Sequence, residues 1–281
     1  MKVKTPLINI TMKKEIKGKS RIVGLKEELD KLYSSYNDRK FIHPDPLEFL
    51  YDYENTNDRE IVGLIASVLA YGRVAQILKS VKLVLERMTP GPYLFLKGSP
   101  PDMIYDTFKN FKHRFTTGSE LSCLLINIKN AINRYGSLNE CFLQGMKEEE
   151  KTVFSAAMDF AKNLNLSTEN RCDSLIPSPV GGSAFKRLNL YLRWMVRKDN
   201  VDPGGWIGVS RSKLIVPLDT HMYRISSGLG FTARKQADIK AALEITDALR
   251  KLDESDPVKY DFALTRLGMN NIYGSLLKKC I

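Results

Sequence analysis

Apolar positions in this chain recur at helical spacing and almost nowhere at strand spacing. Leu25, Leu29 and Leu32 share one face and predict a helix over 25–36. His43-Pro44-Asp45-Pro46 interrupts the pattern, and Pro46 suits the first turn of a short helix over 47–53. Ile61, Leu64, Ile65, Val68 and Leu69 form the clearest stripe of the first half, behind Asn57 or Asp58 as its cap. That helix ends at Ala70-Tyr71-Gly72-Arg73, and Ile77, Val81, Val84 and Leu85 mark a second one over 74–87. A corner between two helices sets Tyr71 and Arg73 at a surface junction. Pro90-Gly91-Pro92 and Gly98-Ser99-Pro100-Pro101 read as loops. Helical spacing resumes over 101–108, 119–135 and 149–164. There is no internal repeat, and the fold class expected is all-α.

The last third carries the chemistry. Pro177-Ser178-Pro179-Val180-Gly181-Gly182-Ser183 is a tight turn leading into a helix over 184–197, with Gly182 or Ser183 at its start. Phe185, Leu188, Leu192 and Met195 recur at core spacing, while Lys186, Arg193 and Arg197 line another face. A glycine turn at a helix start offers backbone N–H groups to a phosphate, and neighbouring cations add sequence-independent backbone contacts. Farther on, Val216-Pro217-Leu218-Asp219-Thr220-His221 opens another helix. Asp219 is well suited to cap it. A capping carboxylate is held rigidly, so the structural role and a role in stabilising developing positive charge are compatible.

Composition sharpens this picture. The 281 residues are 43% hydrophobic and 27% charged, enough for one large domain or two packed helical lobes. Lys and Arg total 43 against 32 Asp and Glu, a net charge of +11, which favours a polyanionic partner. Seven of those cations and only two acids fall between Ser183 and Lys213. Residues 1–24, with Lys2, Lys4, Lys13, Lys14, Lys17, Lys19 and Arg21, read as a mobile basic arm. No apolar run is long enough to span a membrane, and 6–12 is too short and polar for a signal-peptide core, so a cytoplasmic location is expected. Cys123, Cys141, Cys172 and Cys280 are far apart, and His43, His113 and His221 lack metal-ligand spacing. Free thiols and no bound metal are expected.

The order of glycine turn, helix with an early lysine, then Pro-Leu-Asp-Thr-His at the next helix start resembles the helix-hairpin-helix DNA glycosylase superfamily. The 33-residue separation of Lys186 and Asp219 is similar to that of the archaeal 8-oxoguanine DNA glycosylase branch, which carries an insertion there; here it covers 198–213. The HPDPLEFLY, LAYGRV, LRWMVRKD and PLDTH segments also resemble, over nearly the full length, a bacterial family of hypothetical proteins. The glycosylase resemblance implies a two-lobed helical fold with a helix-hairpin-helix element. Its lobes would be a helical barrel over 58–198 and a second lobe from 25–57 and 199–281. It implies Lys186 as nucleophile and Asp219 as the essential carboxylate. Gly181, Gly182, Ser183, Arg187, Arg193 and Arg73 would hold the nucleic-acid backbone. Tyr71, Trp206 and His221 would line a base pocket, with Trp194 a weaker candidate that suits the core. The partner implied is damaged duplex DNA bound by a monomer, without cofactor, metal or membrane; a non-catalytic nucleic-acid-binding protein on the same scaffold is the alternative.

Overall fold

A computed structural model of the chain describes residues 18–165, 172, 174–176 and 183–269. Its centre is the helix with the strong apolar stripe, α2 (Thr56–Val68), which is buried from Glu60 to Val68. Before it come α1 (Gly18–Tyr36) and two 3-10 turns, Arg39–Phe41 and Pro46–Asp52. After it come α3 (Val74–Glu86), α4 (Pro92–Gly98), α5 (Pro101–Phe108), α6 (Gly118–Tyr135), α7 (Leu138–Leu143) and α8 (Phe154–Asn163). A two-residue hairpin, β1 (Lys112–His113) with β2 (Thr116–Thr117), precedes α6. The chain continues as α9 (Lys186–Val196), α10 (Thr220–Gly228), α11 (Ile239–Arg250) and α12 (Asp261–Met269). The protein is therefore mostly helical.

A helix buried on every side needs close neighbours, and α2 has them in α9, α4 and the Pro46–Asp52 turn. Gly63 permits the closest approach: a Cβ there would lie 3.2–3.3 Å from Leu50, Met195 and Tyr191. One acid sits in this apolar setting. Glu60 accepts hydrogen bonds from the backbone N–H of Leu138 (2.8 Å) and Asn139 (3.0 Å) and from Trp206 Nε1 (2.9 Å). It thereby satisfies the first N–H groups of α7 and anchors the 198–213 segment to α2. That segment doubles back along the end of α9, where Gly204 and Trp206 donate to the carbonyls of Trp194 and Met195. Gly204 has φ +66, and a Cβ would fall 2.9 Å from the Arg197 carbonyl oxygen. Farther along the chain, α12 packs on α1 and α10.

Several boundaries differ from the sequence expectation. The helix expected from 25 begins at Gly18, inside the stretch read as an arm; residues 1–17 lie outside the described residues. Asn55, not Asn57 or Asp58, caps α2, while Asp58 accepts the Tyr93 N–H (2.7 Å) and pins the start of α4. The 149–164 helix shortens to Phe154–Asn163. Proline at the first turn opens α4 inside what reads as loop. Among the described residues no helix is long and apolar enough to cross a membrane, and no cluster of side chains could hold a metal ion. Cys123, Cys141 and Cys172 are buried thiols.

Burial pushes the Glu60 carboxyl up from 4.5 to about 6, against the pull of its three donors. The folded state then holds this proton more tightly than the unfolded chain, so stability falls as pH rises from 4.5 to about 6, by about 2 kcal/mol. Glu60→Ala removes that slope but orphans three donors at roughly 1–3 kcal/mol each. Urea denaturation at pH 7 is expected to find the variant about 2–4 kcal/mol less stable, with a flatter profile between pH 4.5 and 6.

Candidate functional site

Two helix starts build the site. Asp219, in extended conformation, accepts the Met222 N–H at 2.8 Å and so begins α10 at Thr220. Phe185 begins α9 differently. It stands in the left-handed region (φ +51) with no side-chain cap, buried edge-on against Phe154. Its N–H donates to Ser183 Oγ (3.3 Å), and Ser183 forms a backbone bridge with Asp238. This turn makes Lys186 the first residue of α9. Its Nζ lies 3.6 Å from Asp219 Oδ2, with the two side chains 38% and 19% exposed.

Both residues line one cavity of about 530 Å³. The α2–α3 corner supplies Tyr71 and Gly72, and α9 adds Arg187 and Leu190 along the Lys186 face. His221, half-buried, comes from the first turn of α10; Asp261, Phe262 and Arg266 come from α12. The Pro44–Pro46 stretch closes a further side. Tyr71 is held firmly: its hydroxyl donates to the His113 carbonyl (2.8 Å) and shares a 2.6 Å hydrogen bond with Thr116 Oγ1. Arg187 lies over its ring at 5.3 Å and donates to the carbonyls of Val68 and Ser174. Burial lowers the Arg187 pKa, with Tyr71 opposing. Arg73 is exposed at the N-cap of α3, beside Gly72. Exposed Arg114, on the hairpin, packs so closely that a Cβ on Gly72 would meet it at 2.7 Å.

Two expected site residues belong elsewhere. Arg193 is 3% exposed and binds Asp202 (3.1 Å) and Asp261. Although it lines the cavity, both ends of its guanidinium are engaged by carboxylates, so it cannot serve as a phosphate contact. Arg197, expected on the same cationic face, is likewise buried against Asp199, Asp202 and Asp256. The helical spacing of these arginines is real, but the face meets acids far away in sequence. Trp206 is 6% exposed among Phe142, Phe160 and Tyr191, with its N–H on Glu60, so it is core and not a cavity wall. Trp194 is fully buried as well. Gly181 and Gly182 lie outside the described residues.

The structure adds residues that sequence reasoning missed. Asp45, read only as part of a chain break, caps the Pro46–Asp52 turn and pairs with Arg266 at 3.1 Å. Asp261 is buried in the cavity wall, where desolvation and the nearby Asp219 charge push it up to about 6 against the pull of Arg193. Neither carried a local signal, because each pairs with an arginine distant in sequence, Asp45 with Arg266 and Asp261 with Arg193.

Residues 45–270 match the family described as a protein of unknown function (DUF2400), and the chain belongs to that family. The match spans the cavity wall from Asp45 to Arg266. No curated protein and no solved structure matches the chain.

The contrast between the arginines is measurable. Arg193→Ala leaves Asp261 and Asp202 buried with too little positive charge and is expected to destabilise the fold by about 3–5 kcal/mol. Arg73→Ala, at an exposed position, is expected to stay within about 0.5 kcal/mol of the parent protein. Chemical denaturation of the two variants side by side reads this difference.

Proposed function

We propose that this chain is a DNA-binding enzyme of the base-excision type, a DNA glycosylase/AP lyase acting on a damaged base such as 8-oxoguanine. The observation that carries the reading is the pairing of Lys186 with Asp219, 3.6 Å apart on the wall of a cavity large enough for a small ligand. An amine and a carboxylate so disposed supply a nucleophile and a group that takes its proton. The likeness of the turn, lysine and Pro-Leu-Asp-Thr-His order to helix-hairpin-helix glycosylases supports the same reading.

In this reading duplex DNA lies across the cavity mouth, where Arg73 and Arg114 are exposed and meet phosphates without regard to sequence. The damaged base leaves the stack and enters the cavity, beside Tyr71, whose ring orientation is fixed by the hairpin. Asp219 accepts a proton from the Lys186 ammonium, and the neutral amine attacks the sugar C1′. The bond from C1′ to the base breaks, its electron pair leaves with the base, and the base takes up a proton. Asp219 supplies that proton, the one it took from Lys186, and the carboxylate so restored stabilises the positive charge on the sugar ring. Opening of the ring gives a Schiff base on Lys186, from which loss of a C2′ proton expels the 3′ phosphate. The protein acts as a cytoplasmic monomer and needs no cofactor.

Incubation with duplexes containing 8-oxoguanine, uracil or an abasic site, followed by borohydride reduction, tests this. A covalent adduct is expected with the parent protein, none with Lys186→Gln, and about 10²-fold slower trapping with Asp219→Asn. If no lesion yields a Lys186-dependent adduct, the enzymatic reading falls. Steeply salt-dependent DNA binding would then leave a non-catalytic binding protein.

A further inference from the structure

We infer that Asp261 reads the bound base, its Oδ1 accepting a hydrogen bond from an exocyclic amino group, so that the cavity selects bases bearing that donor. This rests on the reading of the cavity as a base pocket. Asp261 is the first residue of α12, is 2% exposed, and lines the same cavity as Lys186 and Asp219. Its two oxygens differ. Oδ2 accepts a charge-assisted hydrogen bond from Arg193 Nη1. Oδ1 is buried and has no hydrogen-bond partner.

A buried carboxylate oxygen left without a donor carries a desolvation penalty, which the pairing of Oδ2 with Arg193 offsets only in part. Its surroundings add to the demand. Asp219 and Asp202 repel the charge, and Arg193 is shared with Asp202. Arg266, also on the cavity wall, is turned to Asp45 and the Ile42 carbonyl. The wall already offers ligand acceptors a cation in Lys186. What it lacks is a donor for Oδ1, and the ligand is what can bring one. Sites built to hold a substrate N–H discriminate strongly against the analogue without it, because the orphaned acceptor is then sealed in. The carboxyl, pushed up to about 6, is still mainly the ionised acceptor at neutral pH.

The substitution Asp261→Asn tests this with little disturbance. Arg193 requires an acceptor, so the Asn carbonyl takes the place of Oδ2 and its NH₂ group takes the place of Oδ1. An acceptor facing the ligand becomes a donor while the contact to α9 survives. Borohydride trapping is compared for duplexes carrying 8-oxoguanine and 8-oxohypoxanthine, which differ by the exocyclic amino group. The parent protein is expected to favour the amino-bearing base by at least about tenfold, and Asp261→Asn to bring the ratio near or below one. The ratio is unaffected by the fraction of variant that is folded. Adducts formed at equal rates by the parent protein, or an unchanged ratio in the variant, would overturn the inference and leave the lyase reading standing. Calorimetric titration with guanosine and inosine provides an arm that needs no reaction. A guanosine preference lost in Asp261→Asn supports the inference even if no adduct forms, and equal affinities for the two nucleosides count against it.

Discussion

The arrangement on which the rest of this molecule depends is a buried chain of charge at the end of α9. Arg193 joins Asp202 to Asp261, and Arg197 joins Asp202 to Asp199 and Asp256. Two guanidinium groups thus tie together the 198–213 segment, the approach to α12 and α12 itself. Removing these ions from water is expensive, and close pairing with several hydrogen bonds offsets it. Four carboxylates face two arginines, so the network carries an excess of negative charge. Burial raises the pKa of Asp202, Asp256 and Asp261, whereas Arg197 and nearby donors hold Asp199 below the usual carboxylate range.

The candidate site hangs from the same helix. Lys186 opens α9 and Arg193 lies two turns farther on, so the nucleophile candidate and the charge network share one rigid element. α9 is in turn packed on α2 through Gly63, and α2 ends at the corner that presents Tyr71. The cavity is therefore bounded by elements whose relative positions are set in the interior. Only the left-handed turn at Phe185 and the cap at Asp219 have to aim the Lys186 and Asp219 side chains into it. Small errors in such geometry cost large factors in rate, which gives a physical reason to place a Lys–Asp pair on helix starts anchored in a core.

The basic character of the chain also changes meaning in three dimensions. A net charge of +11 suggests a polyanion, and the 183–213 stretch holds seven cations against two acids. Arg193 and Arg197 are spent inside the protein, and Arg187 is engaged with carbonyls. Arg73 and Arg114, at the α2–α3 corner and hairpin, are exposed cations beside Gly72 of the cavity wall. The surface proposed to meet DNA is thus displaced from the basic helix toward that corner.

Much of the secondary structure was legible because its causes are local. Apolar spacing set α2, α3, α5, α6 and α9 to within a few residues, and a carboxylate before Thr220 marked the start of α10. Lys186 and Asp219 were legible as candidates through the order of turn, helix and cap. What the sequence could not decide is which face of α9 meets solvent, since Arg193 looks equally cationic whether it faces a phosphate or a buried aspartate. Its partners, Asp202 and Asp261, are 9 and 68 residues away. Trp206 poses the same problem: flanking glycines look open in sequence, but they are what lets the chain fold flat against α9 and drive the indole onto Glu60. Periodicity reports how a segment partitions between water and core. The identity of a buried charge's partner is a property of the closed tertiary structure, and here that partner turned a presumed DNA contact into the tie that holds the cavity together.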